Sequence, residues 1–181
     1  MVKEVDVISS ESGTEQRERI LETGPIDCEA FRAGMIYQTM RQHDTVYSTV
    51  DVAVMNSDRT QILLGQKPTD GDKWRFPGGF VDPRLDHSRK AAAMREAREE
   101  LGMIEITIDE NLGSVVIPDY RYRDEADEIM TDFFLATHVF GSPRAADDLT
   151  DAEWFPIEGL MERLVTTHQP LGQMLIEHLS K

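Results

Sequence analysis

Residues 78–103 read GGFVDPRLDHSRKAAAMREAREELGM, and within that run Arg95-Glu96-Ala97-Arg98-Glu99-Glu100-Leu101-Gly102-Met103 crowds three carboxylates onto barely two helical turns. Positions three and four apart are neighbours on a helix, so Glu96, Glu99 and Glu100 project toward one side, with Arg95 beside Glu99 one turn on. Anions that close repel each other unless a cation sits among them. Hard oxygen donors at this density suit Mg²⁺ or Mn²⁺, which keep several waters and bridge a few carboxylates to substrate phosphates. The run therefore reads as half of a metal site whose other half is a phosphorylated ligand. The plainer alternative is a solvated helix face stabilised by pairs such as Arg95 with Glu99, each worth only ~0.2–0.5 kcal/mol. Trp74-Arg75-Phe76-Pro77-Gly78-Gly79 upstream, Gly102 at the end and strand-like segments on both sides argue for the site.

The stretch resembles the Nudix box, a loop-helix-loop signature G-x5-E-x7-R-E-U-x-E-E-x-G-U in which U is aliphatic or similarly apolar. Arg95, Glu96, Ala97, Glu99, Glu100, Gly102 and Met103 match its second half position by position. The first half is offset. Counted back from Arg95, the glutamate falls on His87 and the glycine on Val81, whereas Gly79 stands two residues further upstream. Asp86 is the carboxylate nearest the glutamate's place. In the family that glutamate mainly organises the loop, so the departure bears on loop geometry more than on metal binding. The resemblance covers roughly residues 47–164. It implies a Nudix-type α/β/α sandwich with a mixed sheet, Mg²⁺ (or Mn²⁺) as cofactor, and hydrolysis of a nucleoside diphosphate linked to another group. It also implies Glu96, Glu99 and Glu100 as metal ligands, with the Gly79 carbonyl facing the metal and Arg95 orienting a box carboxylate. The general base would be a box glutamate such as Glu99, or a carboxylate on a later loop, for which Glu125 and Glu128 are the candidates.

Length and charge frame this reading. At 181 residues the chain fits one domain with an addition, divided here as a helical extension over 1–45 and the catalytic domain over 46–181. With 19 Lys plus Arg against 34 Asp plus Glu, the formal net charge of −15 repels polyanions, so nucleic acid is not an expected partner. The single Cys28 excludes an internal disulfide and reads as a buried apolar residue. No basic, apolar leader or long apolar run suggests secretion or membrane insertion, so a cytoplasmic location without membrane contact is expected.

Periodicity supplies the rest of the architecture. Residues 14–23 and 27–42 carry helical patterns, the second with Phe31, Met35, Ile36 and Met40 on one side and Asp27 as a candidate N-cap. Such helices would pack on the core or on a second subunit of a homodimer. From Val46 the period changes: Val46–Met55 is rich in β-branched residues, Gln61–Gly65 answers it across Asn56-Ser57-Asp58-Arg59, and a hairpin is expected. The box helix should run from Ser88 to Leu101, capped by Ser88 or Asp86 and stopped by Gly102. Strands are expected at 104–108, 112–117, 129–140 and 152–156, then helices at 159–164 and 171–179.

Substrate contacts are sought among aromatic and basic residues outside the helix. Arg75 and Phe76 precede the glycine pair. In Asp119-Tyr120-Arg121-Tyr122-Arg123 an extended chain would point Arg121 and Arg123 to one face, to grip phosphate or ribose, and Tyr120 to the other, to stack on a base. His87, His138, His168 and His178 lack metal-ligand spacing. Within the family, a proline fifteen residues past the box accompanies ADP-ribose hydrolysis and a tyrosine seventeen past it accompanies dinucleoside polyphosphates. Pro118 and Tyr120 satisfy both. ADP-ribose or a nucleoside diphosphate sugar ranks first, dinucleoside polyphosphates or nucleoside triphosphates second, and a non-hydrolytic nucleotide sensor is a third reading.

Overall fold

The computed structural model describes residues 29–40, 42–119 and 127–181. The chain divides into two compact units, Met1–Thr45 and Val46–Lys181. In the first, helix α1 spans Glu29–Met40. Ile36, Tyr37 and Met40 on it are more than half exposed. The helix expected over 14–23, the Asp27 cap and Cys28 lie outside the described residues.

The second unit is built on a six-stranded sheet: β1 Val46–Met55, β2 Gln61–Gln66, β3 Gly78–Phe80, β4 Glu105–Ile117, β5 Glu128–Phe140 and β6 Asp151–Pro156. Strand order is β4-β5-β1-β2-β6, with β3 pairing β1 off this path. β1 and β5 run parallel over ten register positions from Val46↔Glu128 to Met55↔Thr137, while the other ladders are antiparallel, so the sheet is mixed. The expected β1–β2 hairpin forms, with Val54↔Leu63 and Met55↔Ile62 in register.

The period of two along β1 decides which layer each side chain enters. Val50, Val52 and Val54 face helix α2 (Arg89–Leu101) and pack with its Ala92, Ala93, Ala97 and Leu101. Ala53 and Met55 face the opposite layer, where Phe76, Phe133 and Leu135 meet Leu160, Leu164, Leu171 and Leu175. Those leucines come from α3 (Leu160–Arg163), the residue that follows it, and α4 (Gln169–Leu179), which succeeds a 3-10 turn at Thr166–His168. Each fully buried Leu or Phe contributes ~1.5–3 kcal/mol, so two apolar layers back to back fix the α/β/α sandwich. The alanines of α2 are what let the helix lie close to the sheet.

One expectation is corrected. The two strands anticipated at 104–108 and 112–117 form the single strand β4, paired along its whole length with β5. Register shifts at Ile108/Glu110 and Asn111/Gly113 absorb the irregular residues as bulges, with Gly113 at φ 125°. A long continuous partner keeps such a ladder in one piece across a local kink.

Candidate active site

The glycine pair sits where three elements converge. β3 pairs with β1 through Asp51↔Gly78, Val50↔Gly79 and Thr49↔Phe80. A Cβ on Gly78 would stand 2.2 Å from the Val50 carbonyl oxygen, and one on Gly79 would stand 2.6 Å from Glu96 Oε2. The backbone thus approaches β1 on one side and a box carboxylate on the other, which only glycine allows. From there the chain turns through Asp82, whose carbonyl accepts the Asp86 N–H at 2.8 Å while Asp86 Oδ2 accepts the Asp82 N–H at 2.8 Å. Ser88 then caps α2 by accepting the Ala91 N–H at 3.0 Å.

Asp86 is therefore not the helix cap. It holds Arg95 bidentately, accepting from Nε at 3.0 Å and Nη2 at 2.7 Å. The same guanidinium donates to Glu96 Oε1 at 2.8 Å, Glu99 Oε2 at 2.6 Å and the Phe80 carbonyl at 3.0 Å. Five donations fix one planar fork, so Arg95 stays charged at any working pH, chiefly through its bond to Asp86. In return the guanidinium holds the Asp86 carboxyl below the usual carboxylate range. The two additional loop residues thus still deliver a carboxylate to Arg95, from a position next to exposed His87.

Glu96 and Glu100 lie on the buried side of α2. Burial pushes both carboxyls up, Glu100 to about 7, despite a hydrogen bond from the Gly78 N–H to Glu100 Oε2 at 2.8 Å and Lys67 Nζ 3.4 Å from Oε1. Glu99 is half-exposed. Among the described residues no three acidic, histidine or cysteine side chains converge as a preformed metal cluster. Glu96 and Glu99 each give one oxygen to Arg95, and Glu100 is held by Lys67 and Gly78. Glu96 Oε2 and Glu99 Oε1 carry no such bond, and Glu96 Oε2 borders the space that the missing Gly79 side chain leaves open. A donor set of hard carboxylate oxygens beside a backbone cradle fits Mg²⁺ or Mn²⁺, and a bound cation would favour the ionised forms that burial opposes.

The three glutamates open onto a cavity of about 400 Å³. Its lining also includes Asp51, Lys67, Arg75, Gly79, Asp119, Asp147, Asp148 and His168. Asp51, on β1, is buried and pushed up to about 6 by desolvation, although Thr131 Oγ1 donates to it at 2.6 Å. His168 is buried and driven down to about 3, chiefly by desolvation, so it is neutral. Its Nδ1 accepts the Phe76 N–H at 3.3 Å, which leaves the ring proton on Nε2.

The sequence candidates separate on this geometry. Glu96, Glu99, Glu100, Gly79 and Arg75 line one cavity, and Arg95 stands directly behind the glutamates. Arg75 is also bound by Asp70 through both Nε, at 2.7 Å, and Nη2. Phe76, expected at the substrate wall, is 1% exposed and packs on Phe133 at 4.9 Å between centroids, so its ring belongs to the core. Glu128 begins β5 as an exposed residue opposite Val46 and is not part of the cavity lining. Tyr120, Arg121, Arg123 and Glu125 lie outside the described residues. Sequence reasoning missed Lys67, Asp51, Asp147, Asp148 and His168. Asp51 had a signal, a charged residue in the apolar strand Val50-Asp51-Val52-Ala53-Val54, whereas the others sit in unremarkable polar turns.

A curated relative, the CTP pyrophosphohydrolase of Escherichia coli (strain K12), is 47% identical over 57 residues, 30% of this chain and 40% of that protein. An ADP-ribose pyrophosphatase of Methanocaldococcus jannaschii is 30% identical over 113 residues, 61% of this chain and 63% of that one. The chain thus spans less than two thirds of either relative. Among solved structures, the NUDIX domain of Shewanella oneidensis NrtR complexed with ADP ribose superposes with a TM-score of 0.61 at 22% identity, covering 77% of this chain and 92% of that one. The E. coli ORF135 protein superposes with a TM-score of 0.61 at 26% identity, covering 76% and 93%. The model of the NUDIX domain matches residues 46–175, and the chain belongs to that family.

Proposed function

We propose that the protein is a divalent-cation-dependent pyrophosphohydrolase that cleaves a nucleoside diphosphate linked to another group, with ADP-ribose or a nucleoside diphosphate sugar as substrate. The observation that carries this reading is the arrangement of Glu96, Glu99 and Glu100, braced by Arg95 and opening with Gly79 onto one cavity of about 400 Å³. That volume suits a small phosphorylated ligand. Mg²⁺ or Mn²⁺, held by Glu96, Glu99, Glu100 and the Gly79 carbonyl, would neutralise the charge that develops on the phosphate oxygens.

The chain's own residues supply the rest. Water attacks one phosphorus, the P–O bond to the bridging oxygen breaks, and two phosphomonoesters leave. Glu99 is the half-exposed member of the triad and has an oxygen not taken by Arg95, which suits it to receive the proton of the attacking water. Glu125 remains the candidate from the later loop. Lys67 and Arg75 are the cations of the described lining and meet the substrate's charge. Arg121 and Arg123 would grip the distal ribose or phosphate, and Tyr120 would stack on the base.

The longer of the two curated matches is to an ADP-ribose pyrophosphatase, and Pro118 stands at the family's ADP-ribose position. The higher local identity to a CTP pyrophosphohydrolase supports a second reading, hydrolysis of a nucleoside triphosphate. The protein is incubated with ADP-ribose, a nucleoside diphosphate sugar, a dinucleoside tetraphosphate and the four triphosphates, with and without Mg²⁺, and products are separated by chromatography. AMP and ribose 5-phosphate from ADP-ribose are expected. CTP cleaved in preference would favour the second reading. No substrate cleaved with Mg²⁺ or with Mn²⁺ in its place, while calorimetric titration shows ADP-ribose binding, would refute hydrolysis in favour of a sensor.

A further inference from the structure

Lys67, the residue after β2, points its ammonium into the acidic cavity, 3.4 Å from Glu100 Oε1 and 2.6 Å from Asp148 Oδ2. Both acidic partners are set in place by backbone. The carbonyls of Glu100 and Leu101, at the C-terminal end of α2, accept the Ala146 N–H at 2.9 Å and the Arg144 N–H at 3.0 Å, which pins the 141–150 loop that carries Asp148. Thr150 closes the loop onto β2 through its N–H to the Gln66 carbonyl at 2.8 Å. Between these fixed ends the flexible part is the lysine stem.

We propose that Lys67 is a built-in counter-cation of the metal site: its ammonium holds Glu100 in the metal-free protein and surrenders it to the incoming divalent ion. This rests on the reading of Glu96, Glu99 and Glu100 as the site of that ion. Glu100 is only 3% exposed, and a carboxylate so buried needs a charge partner to stay ionised. Its Oε2 is committed to the Gly78 N–H, so Oε1 is the oxygen left for a metal, and Oε1 is the oxygen that faces Lys67. Two cations cannot share it at full strength. Arg95, locked to Asp86 and the Phe80 carbonyl, has nowhere to go, whereas Lys67 can withdraw onto half-exposed Asp148. The ammonium thus assembles the site before the ion arrives, at the expense of a looser grip on the ion.

Isothermal titration of Mg²⁺ into the full chain without nucleotide tests this, at about pH 8.5 where proton competition for carboxylate ligands is small. Lys67→Met and Lys67→Gln should bind Mg²⁺ roughly tenfold tighter, because a unit positive charge has left the neighbourhood of the ion. Lys67→Arg keeps the charge and should stay near wild type. Circular dichroism establishes that the variants are folded, and the two neutral variants guard against the loss of either. Unchanged or weaker affinity in both neutral variants, with wild type binding normally, overturns the inference and leaves the metal reading intact. Tightening by Lys67→Arg overturns it too, since charge would not be the cause. A wild type that binds no Mg²⁺ overturns the metal reading itself, and this inference with it.

Discussion

Gly79→Ala adds one methyl group, and the structure specifies what that group meets. The new Cβ would lie 2.6 Å from Glu96 Oε2, 2.7 Å from its Cδ and 2.8 Å from Oε1. Gly79 is not among the glycines at positive φ, so backbone strain adds nothing and the clash is the whole effect. Glu96 cannot swing aside freely, because it is buried and its Oε1 is bonded to Arg95 at 2.8 Å. Overpacking of this kind costs ~1–3 kcal/mol. At this chain length each kcal/mol lowers Tm by ~2–4 °C, so a drop of roughly 2–12 °C is expected. Displacing Glu96 from its place should also lower turnover on ADP-ribose at least ~10-fold. The control is Glu96→Ala, which removes the atoms that the methyl meets. In that background Gly79→Ala should cost almost no stability, a coupling of ~1–3 kcal/mol in the double-mutant cycle. Thermal melts of the four proteins, followed by circular dichroism, read the coupling, and steady-state kinetics read turnover. Wild-type melting and kinetics in Gly79→Ala, or an equal cost in both backgrounds, would refute the reasoning.

The other variants probe the same site from different sides. Glu99→Gln should lower turnover by roughly 100-fold or more while leaving Tm near wild type, since the side chain is half-exposed and loses a repelling charge; full activity in the folded variant would remove Glu99 from the catalytic set. Asp86→Ala should show the reverse balance, a stability loss of ~1–3 kcal/mol from the two guanidinium donations left unmet and a smaller loss of activity than Glu99→Gln, so equal activity losses would make Asp86 a metal ligand. His168, neutral in the fold with its pKa near 3 through burial, gives a pH signature. The native state binds this proton less readily than the unfolded chain, so stability from the neutral ring is present above the unfolded value of 6.5 and declines as pH falls toward 3, by ~1.4 kcal/mol per unit. The Tm of His168→Gln should therefore fall less steeply than wild type between those limits, and parallel slopes would show that His168 takes up a proton in the fold.

Legibility in the sequence followed the range of the interactions. The box helix, its Ser88 cap and Gly102 stop, the β1–β2 hairpin and the alternation that sends Val50, Val52 and Val54 to one layer are set by contacts between near neighbours and by period, and both are written along the chain. The glutamate triad was readable for the same reason, being three side chains of one helix. Sequence periodicity broke β4 in two because it cannot register a long partner that carries a strand across its bulges. Position before the glycine pair also suggested Phe76 for a substrate wall, since an aromatic there looks the same in sequence whether its ring faces a ligand or Phe133. Lys67 and Asp148, 81 residues apart, and Asp51 with Thr131, 80 apart, became neighbours only through the parallel β1–β5 pairing and the return of the chain to β2. The local sequence thus determined which carboxylates the box helix carries, and the tertiary fold decided which charges stand opposite them and how far those charges are withdrawn from water.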